Sequence, residues 1–338
     1  MGCGELSKRR RRSRLWAYWL VVYLPLALGL NEVHLRTVDK PNYPRQLALH
    51  REILQARTGK PQNIRVLQPV VVQAMMDWIP YGTEQGRFLA GYAAIRILSL
   101  VVLFCLAERL FGAFGEPSTA RLGVLLLAAM HPMTFLDYFY QPSSVFDLAC
   151  FTLGMCLIAS GPHWPLIPLV IVATANRNTS AFICLAYGLY HLDALWCGDS
   201  ARRRRFVALG LALGATWAVE IALLEWRFPA NTWLEQTWVG YGANLTDDKV
   251  WRYVTMMCAP LAAGVWLGWR GSPAALKRMA VWALLYLAVH LFMARAYELR
   301  YYLALYVGLG PFCVLAYERF DARAQQPPPA VARRTPPD

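Results

Sequence analysis

Two kinds of residue in this chain could carry chemistry: carboxylates and histidines that take a proton, and arginines that hold an anion. Glu32, His34, Asp39, His50 and Glu52 fall together in the stretch 31–87, with Arg65 further along it. His131, Asp137, Tyr138 and Gln141 form a second group, Asn176-Arg177-Asn178-Thr179 a third, and Arg295, Glu298 and Arg300 a fourth. A carboxylate can act as general base on a hydroxyl. A guanidinium binds phosphate oxygens through two parallel hydrogen bonds. Together they fit group transfer on a phosphate-bearing substrate.

The elements that must position these groups are apolar helices. Hydrophobic residues make up 57% of the 338 positions and charged residues only 16%, and the apolar residues are gathered into long runs. That is the signature of a polytopic membrane bundle. About ten spans can be read, near 15–30, 88–107, 120–136, 143–160, 164–175, 180–196, 206–224, 254–269, 279–293 and 303–317. The fifth is short and ends abruptly in Asn176-Arg177-Asn178-Thr179, so it and the sixth form a tight helical hairpin with an arginine near membrane depth. Domain organisation follows: a basic N-terminus at 1–14, a transmembrane domain at 15–317 with long outer loops at 31–87 and 225–252, and a disordered tail at 318–338.

The net charge of +13 does not point to nucleic acid. Much of it lies in short clusters between apolar runs: Lys8–Arg12, Arg202–Arg205, Lys277-Arg278 and the tail. Such clusters mark the cytoplasmic side, which puts both termini inside and the polar groups above on the outer face. Trp16, Trp164, Trp196, Trp226, Trp251 and Trp269 fall near predicted span ends, as an interfacial belt would. The cysteines show no metal-binding spacing and read as buried thiols. No convincing internal repeat is present. Asn244-Leu-Thr246 is an outward glycosylation sequon.

The architecture resembles the GT-C superfamily of polytopic glycosyltransferases. His50-Arg-Glu-Ile-Leu54, followed by Pro61-Gln-Asn-Ile-Arg-Val-Leu-Gln-Pro69, is similar to a pattern in uncharacterised bacterial membrane proteins of this type, with its R-x-L-x-P segment. Asn176-Arg-Asn-Thr179 resembles their N-R-E-T segment, with Asn178 in place of the acid, and Glu298-Leu-Arg300 resembles their E-x-R segment. The resemblance implies transfer of a sugar from a polyprenyl-phosphate carrier to a glycan, lipid or protein acceptor on the outer face of the inner or plasma membrane. It implies a catalytic carboxylate in the first outer loop, hence Asp39 or Glu32. Asp39 is favoured because Pro41-Asn-Tyr-Pro44 behind it reads as an ordered turn. Substrate contacts are expected from His50, Arg65, Asp137, Asn176, Arg177, Arg295, Glu298 and Arg300. Some members of the superfamily use a divalent cation and many do not. Asp147, inside an apolar run, is either a tie within the bundle or part of the site. Two other functions fit the same pattern: a transporter or flippase of a lipid-linked or anionic substrate, and a non-catalytic membrane subunit of a glycan assembly machine.

Overall fold

In the computed structural model the described residues are 18–59, 62–136, 143–197, 199–229, 244–293, 296 and 298–324. Among them the chain is all-α, without strands. The helices are α1 (Leu24–His34), α2 (Lys40–Leu54), α3 (Leu67–Trp78), α4 (Glu84–Phe111), α5 (Pro117–Met130), α6 (Ser144–Ser160), α7 (Leu166–Asn176), α8 (Ala181–Tyr190), α9 (Ser200–Arg227), α10 (Asp248–Gly268), α11 (Ala274–Met293) and α12 (Leu303–Ala324). Five stretches are long and apolar enough to cross a membrane: α4, α9, Asp248–Gly271, Ala274–Phe292 and Leu299–Ala322. α6 and α7 are shorter apolar helices. Long apolar helices suit a membrane, where backbone groups must be satisfied within their own segment.

The innermost helix is α12. Of the apolar window in Leu299–Ala322, 89% is buried, against 11% for α9 at the periphery. α12 packs against α10, α5, α11, α6 and α4. Close approach is possible where side chains are absent. A Cβ on Gly268 would overlap the Phe312 carbonyl oxygen, and one on Gly264 would overlap Cys313 Sγ.

Several expectations are corrected here. Residues 31–54 are not a loop: helix runs without a break from Tyr18 through π-helical turns at Trp19–Tyr23 and Leu35–Asp39 to Leu54. At 1.5 Å per residue this rod is about 55 Å long, well beyond the roughly 30 Å of hydrocarbon. Pro41-Asn-Tyr-Pro44 is therefore helical rather than a turn. Side chains add local bonds along this stretch: Asn42 Nδ2 donates to the Val38 carbonyl at 2.7 Å and Thr37 Oγ1 to the Val33 carbonyl at 2.8 Å. Beyond it, α2, α3 and the first turns of α4 pack as an outer layer around Val72, Met76, Phe88 and Tyr92. Arg87 Nη1 closes α3 by donating to the carbonyls of Met76 at 2.9 Å and Ile79 at 3.3 Å.

α12 also extends past Tyr317, so the first residues of the expected tail are helical. Asn244 is unsuited to glycosylation. It is 3% exposed, its Nδ2 donates to Leu291 at 2.7 Å, and its Oδ1 accepts from the Ala296 amide at 3.1 Å.

The packing of α10 on α12 predicts the effect of one methyl group. Gly268→Ala should separate the two backbones and destabilise the protein by about 1–3 kcal/mol, as overpacking does. Gly210→Ala on α9, where an added Cβ meets nothing within 4 Å, should leave stability unchanged or raise it. Melting midpoints in detergent, compared for the two variants, check this.

Candidate functional site

Two polar clusters lie against the start of α6, and both involve buried ions. The first is built on the π-helical turn at Leu35–Asp39. A π turn shifts the helical register, and the Asp39 side chain is 2% exposed. Its Oδ2 lies 2.7 Å from Arg96 Nη2 on α4 and 3.3 Å from His34 Nδ1 one turn earlier. Gln46 Nε2 donates to its Oδ1 at 3.1 Å, and Asn31 Oδ1 accepts from Arg96 Nη1 at 2.9 Å. Burial pushes the Asp39 carboxyl up, but the hydrogen bond with His34 and the Arg96 charge outweigh it and hold the group at about 2. Burial, then the Arg96 charge, push His34 down to about 4, against the pull of Asp39. At neutral pH the cluster is an Asp39–Arg96 ion pair carrying a neutral imidazole.

The second cluster forms around the tip of the α7–α8 hairpin. The two helices are half-length: α7 stops at Asn176, Arg177 is extended, and a 3-10 turn at Asn178–Ser180 leads into α8. Thr174 and Ser180 bridge the tip through their hydroxyls at 2.7 Å. At the base, the His163 and His191 rings lie 4.7 Å apart, and His191 Nε2 lies 3.1 Å from the Ile158 carbonyl near the end of α6. The hairpin therefore runs beside α6 and delivers its tip to the α6 N-terminus. Asn176 Nδ2 donates to the Ser143 carbonyl at 3.1 Å, and Thr179 Oγ1 donates to Asp147 at 3.0 Å.

Arg177 and Arg300 meet there. Arg177 Nη1 lies 3.5 Å from Ser144 Oγ and 3.7 Å from Asp147 Oδ2. Arg300 Nη1 lies 3.4 Å from the same hydroxyl, and its Nη2 pairs with Glu298. Both guanidinium groups sit over Tyr301, at 5.4 Å and 5.2 Å from the ring centre. Arg65, also buried, is within electrostatic reach of Arg177, Arg300 and Glu298. Ser144, Asp147, Arg177 and Arg300 border a small open cleft, whose apolar wall includes Phe182, Tyr286 and Tyr301. A second small space shares Ser144, Leu148 and Arg300 with it and is lined by His34 and His131.

The expected site residues thus separate. Arg65, Asn176, Arg177, Glu298 and Arg300 come together at the α6 N-terminus. Asp39 is beside them but buried in an ion pair. Glu32 is exposed and pairs with Arg36 along the helix surface. His50 belongs to the outer layer, where Nδ1 meets Tyr92 at 3.0 Å and Nε2 meets Gln73 at 3.1 Å. Asp137 and Arg295 lie outside the described residues, as do Tyr138 and Gln141. Ser144, Tyr301, Arg96 and His34 complete the arrangement. Arg96 carried a signal, a charge inside an apolar run, whereas nothing local marks Ser144. Among the described residues no group of His, Cys, Asp and Glu could hold a metal ion.

Breaking the first cluster should be costly. Asp39→Asn or Arg96→Met alone leaves a buried charge without its partner, a loss of about 3–5 kcal/mol. The double variant should lose much less than the sum, which a double-mutant cycle in detergent measures. The pH dependence has a defined sign. Between 6.5 and about 4 the unfolded chain takes up a proton at His34 that the folded chain refuses, so stability falls as pH drops through that window. The Asp39 contribution persists there and is lost only as pH falls through about 2. Melting curves from pH 7 to 4 check the first; a rise in stability would exclude it. No family model, curated protein or solved structure matches this chain, so the functional reading rests on this geometry.

Proposed function

We propose that the chain is an integral membrane glycosyltransferase that takes a sugar from a polyprenyl-phosphate carrier and passes it to a hydroxyl acceptor. In this reading about ten segments enter the membrane, both termini are cytoplasmic, and the cleft faces outward. The observation that carries it is the convergence of Arg177 and Arg300 on Ser144 Oγ at the rim of the cleft, with Arg65 close by. Two guanidinium groups and a helix N-terminus form a cradle for a phosphate. The α6 dipole adds favourable potential at that point. Apolar helix surfaces beside the cleft suit a prenyl chain, and Phe182, Tyr286 and Tyr301 offer faces for a sugar ring.

Each residue has a role in this scheme. Arg177 and Arg300 bind the carrier phosphate and stabilise the charge it gains as the glycosidic bond breaks. Asp147, hydrogen-bonded to Thr179, and Glu298 hold the two arginines in place. Arg177 and Arg300 are buried, so their charges act strongly.

One observation favours a second reading. Half-length helices meeting at a charged break are also how transporters build substrate sites, as the α7–α8 hairpin does. A transporter of a lipid-linked or anionic substrate would use the same cradle without bond cleavage.

The test is release of free carrier phosphate from polyprenyl-phosphate hexoses and pentoses by protein in lipid. Arg177→Gln and Arg300→Gln should each weaken donor binding about 10–100-fold, the worth of one charged hydrogen bond. Arg177→Lys should recover only part, because an ammonium cannot reproduce the planar fork. Glu32→Gln should stay near wild type. Donor binding without release in any condition would reject transfer and leave the transport reading.

A further inference from the structure

The second space, beside the phosphate cradle, has no role in donor binding, yet it is built of titratable groups. His34 and His131 line it together with Thr134, and Ser144, Leu148 and Arg300 line both it and the cleft. His131 is 2% exposed, and among the described residues no group hydrogen-bonds to its Nδ1. The edges of both imidazoles meet the Phe135 ring, at 4.9 Å for His34 and 5.7 Å for His131. His34 is further held by Asp39, which faces its Nδ1. A carboxylate 3.3 Å from Nδ1 favours the neutral tautomer with its hydrogen on Nδ1 and its lone pair on Nε2.

We propose that this space receives the acceptor hydroxyl, and that His34 is the catalytic residue that takes its proton, with Asp39 and Arg96 as positioning residues. The assignment rests on the glycosyltransferase reading above and deepens it. The acceptor is a neutral hydroxyl compound, since the pocket presents two imidazoles, a threonine and the edge of Arg300. In the transfer step the acceptor O–H gives its proton to His34 Nε2. Its oxygen forms a bond to the anomeric carbon, and the bond from that carbon to the carrier phosphate oxygen breaks. The electron pair leaves on the phosphate, between Arg177 and Arg300, and His34 then returns the proton to water. Asp39, locked to Arg96, acts through the imidazole and does not touch the acceptor. His131 supplies a second contact to the acceptor.

The experiment uses the full chain in lipid nanodiscs, with farnesyl-phosphate hexoses as donors and octyl glucoside or water as acceptor. Carrier release and donor binding are measured separately. His34→Gln should lower kcat about 10²–10⁴-fold, the usual worth of a general base, with donor binding unchanged. In His34→Gly, free imidazole should restore part of the rate, which a purely structural defect would not allow. Asp39→Asn should lower kcat without changing donor binding, and His131→Asn should raise the KM for octyl glucoside. If His34→Gln keeps kcat within about twofold of wild type, proton transfer is not its task and the assignment falls. Failure of imidazole to restore any rate in a folded, donor-binding His34→Gly variant also overturns it. Wild type that binds no donor overturns the reading beneath it instead.

Discussion

The ion pair between Asp39 and Arg96 fixes the position of much else. Arg96 lies within a long apolar helix, where an unpaired charge would be costly. Asp39 is brought to it because the first helix continues beyond His34 and changes register at a π turn. The pair therefore ties the outer extension to α4 and sets the rotation of that rod. It also decides which face His34 presents. Without this contact the first helix could slide or rotate on α4, and the imidazole would lose its place beside α6. At the other end, Glu108 accepts hydrogen bonds from Trp19, Tyr23 and Arg121, so the same two helices are pinned at both ends.

The second organising feature is the short hairpin. α7 and α8 stop halfway and leave room for a polar tip. The carbonyl and amide groups freed by the break must be satisfied internally. Trp217 Nε1 on α9 donates to the Asn178 carbonyl at 3.3 Å, the Arg177 amide donates to the Ala173 carbonyl at 2.7 Å, and the Ser180 amide donates to the Arg177 carbonyl at 3.3 Å. The tip then carries Arg177 to within reach of Arg300, which arrives from the turn before α12. Two like charges at close range need compensation, and Asp147 and Glu298 provide it. Tyr301 lies under both groups and adds its π face.

Much of this organisation was legible in the sequence. The apolar runs gave an all-helical membrane chain, and the abrupt Asn176-Arg177-Asn178-Thr179 end gave a hairpin with an arginine at its tip. Glu298 and Arg300 stood out for the same reason, as charges beside apolar runs. The stretch 31–87 misled. Its polar residues and prolines read as a loop, because local pattern cannot reveal that a helix continues when its partner is another helix layer. Asp39 was singled out by type, but its ion pair with Arg96 was invisible at a separation of 57 positions. His50 looked like a ligand and is a packing residue of the outer layer. Asn244 matched a sequon and is a buried brace.

The sequence by itself determined the medium and the material: apolar segments that require helices, and a small set of charges that hydrocarbon tolerates only in company. Composition and run length suffice for that, because transfer energies act residue by residue. The tertiary structure decided which charges keep company. Arg177 and Arg300 come from segments remote in the chain, and only packing on α6 and α12 brings them to Ser144, with Arg65 within electrostatic reach. Likewise only the π turn decides that Asp39 faces Arg96 rather than water, and so holds a neutral imidazole. Pairing in space depends on helix register and depth, which residue types and short spacings do not encode.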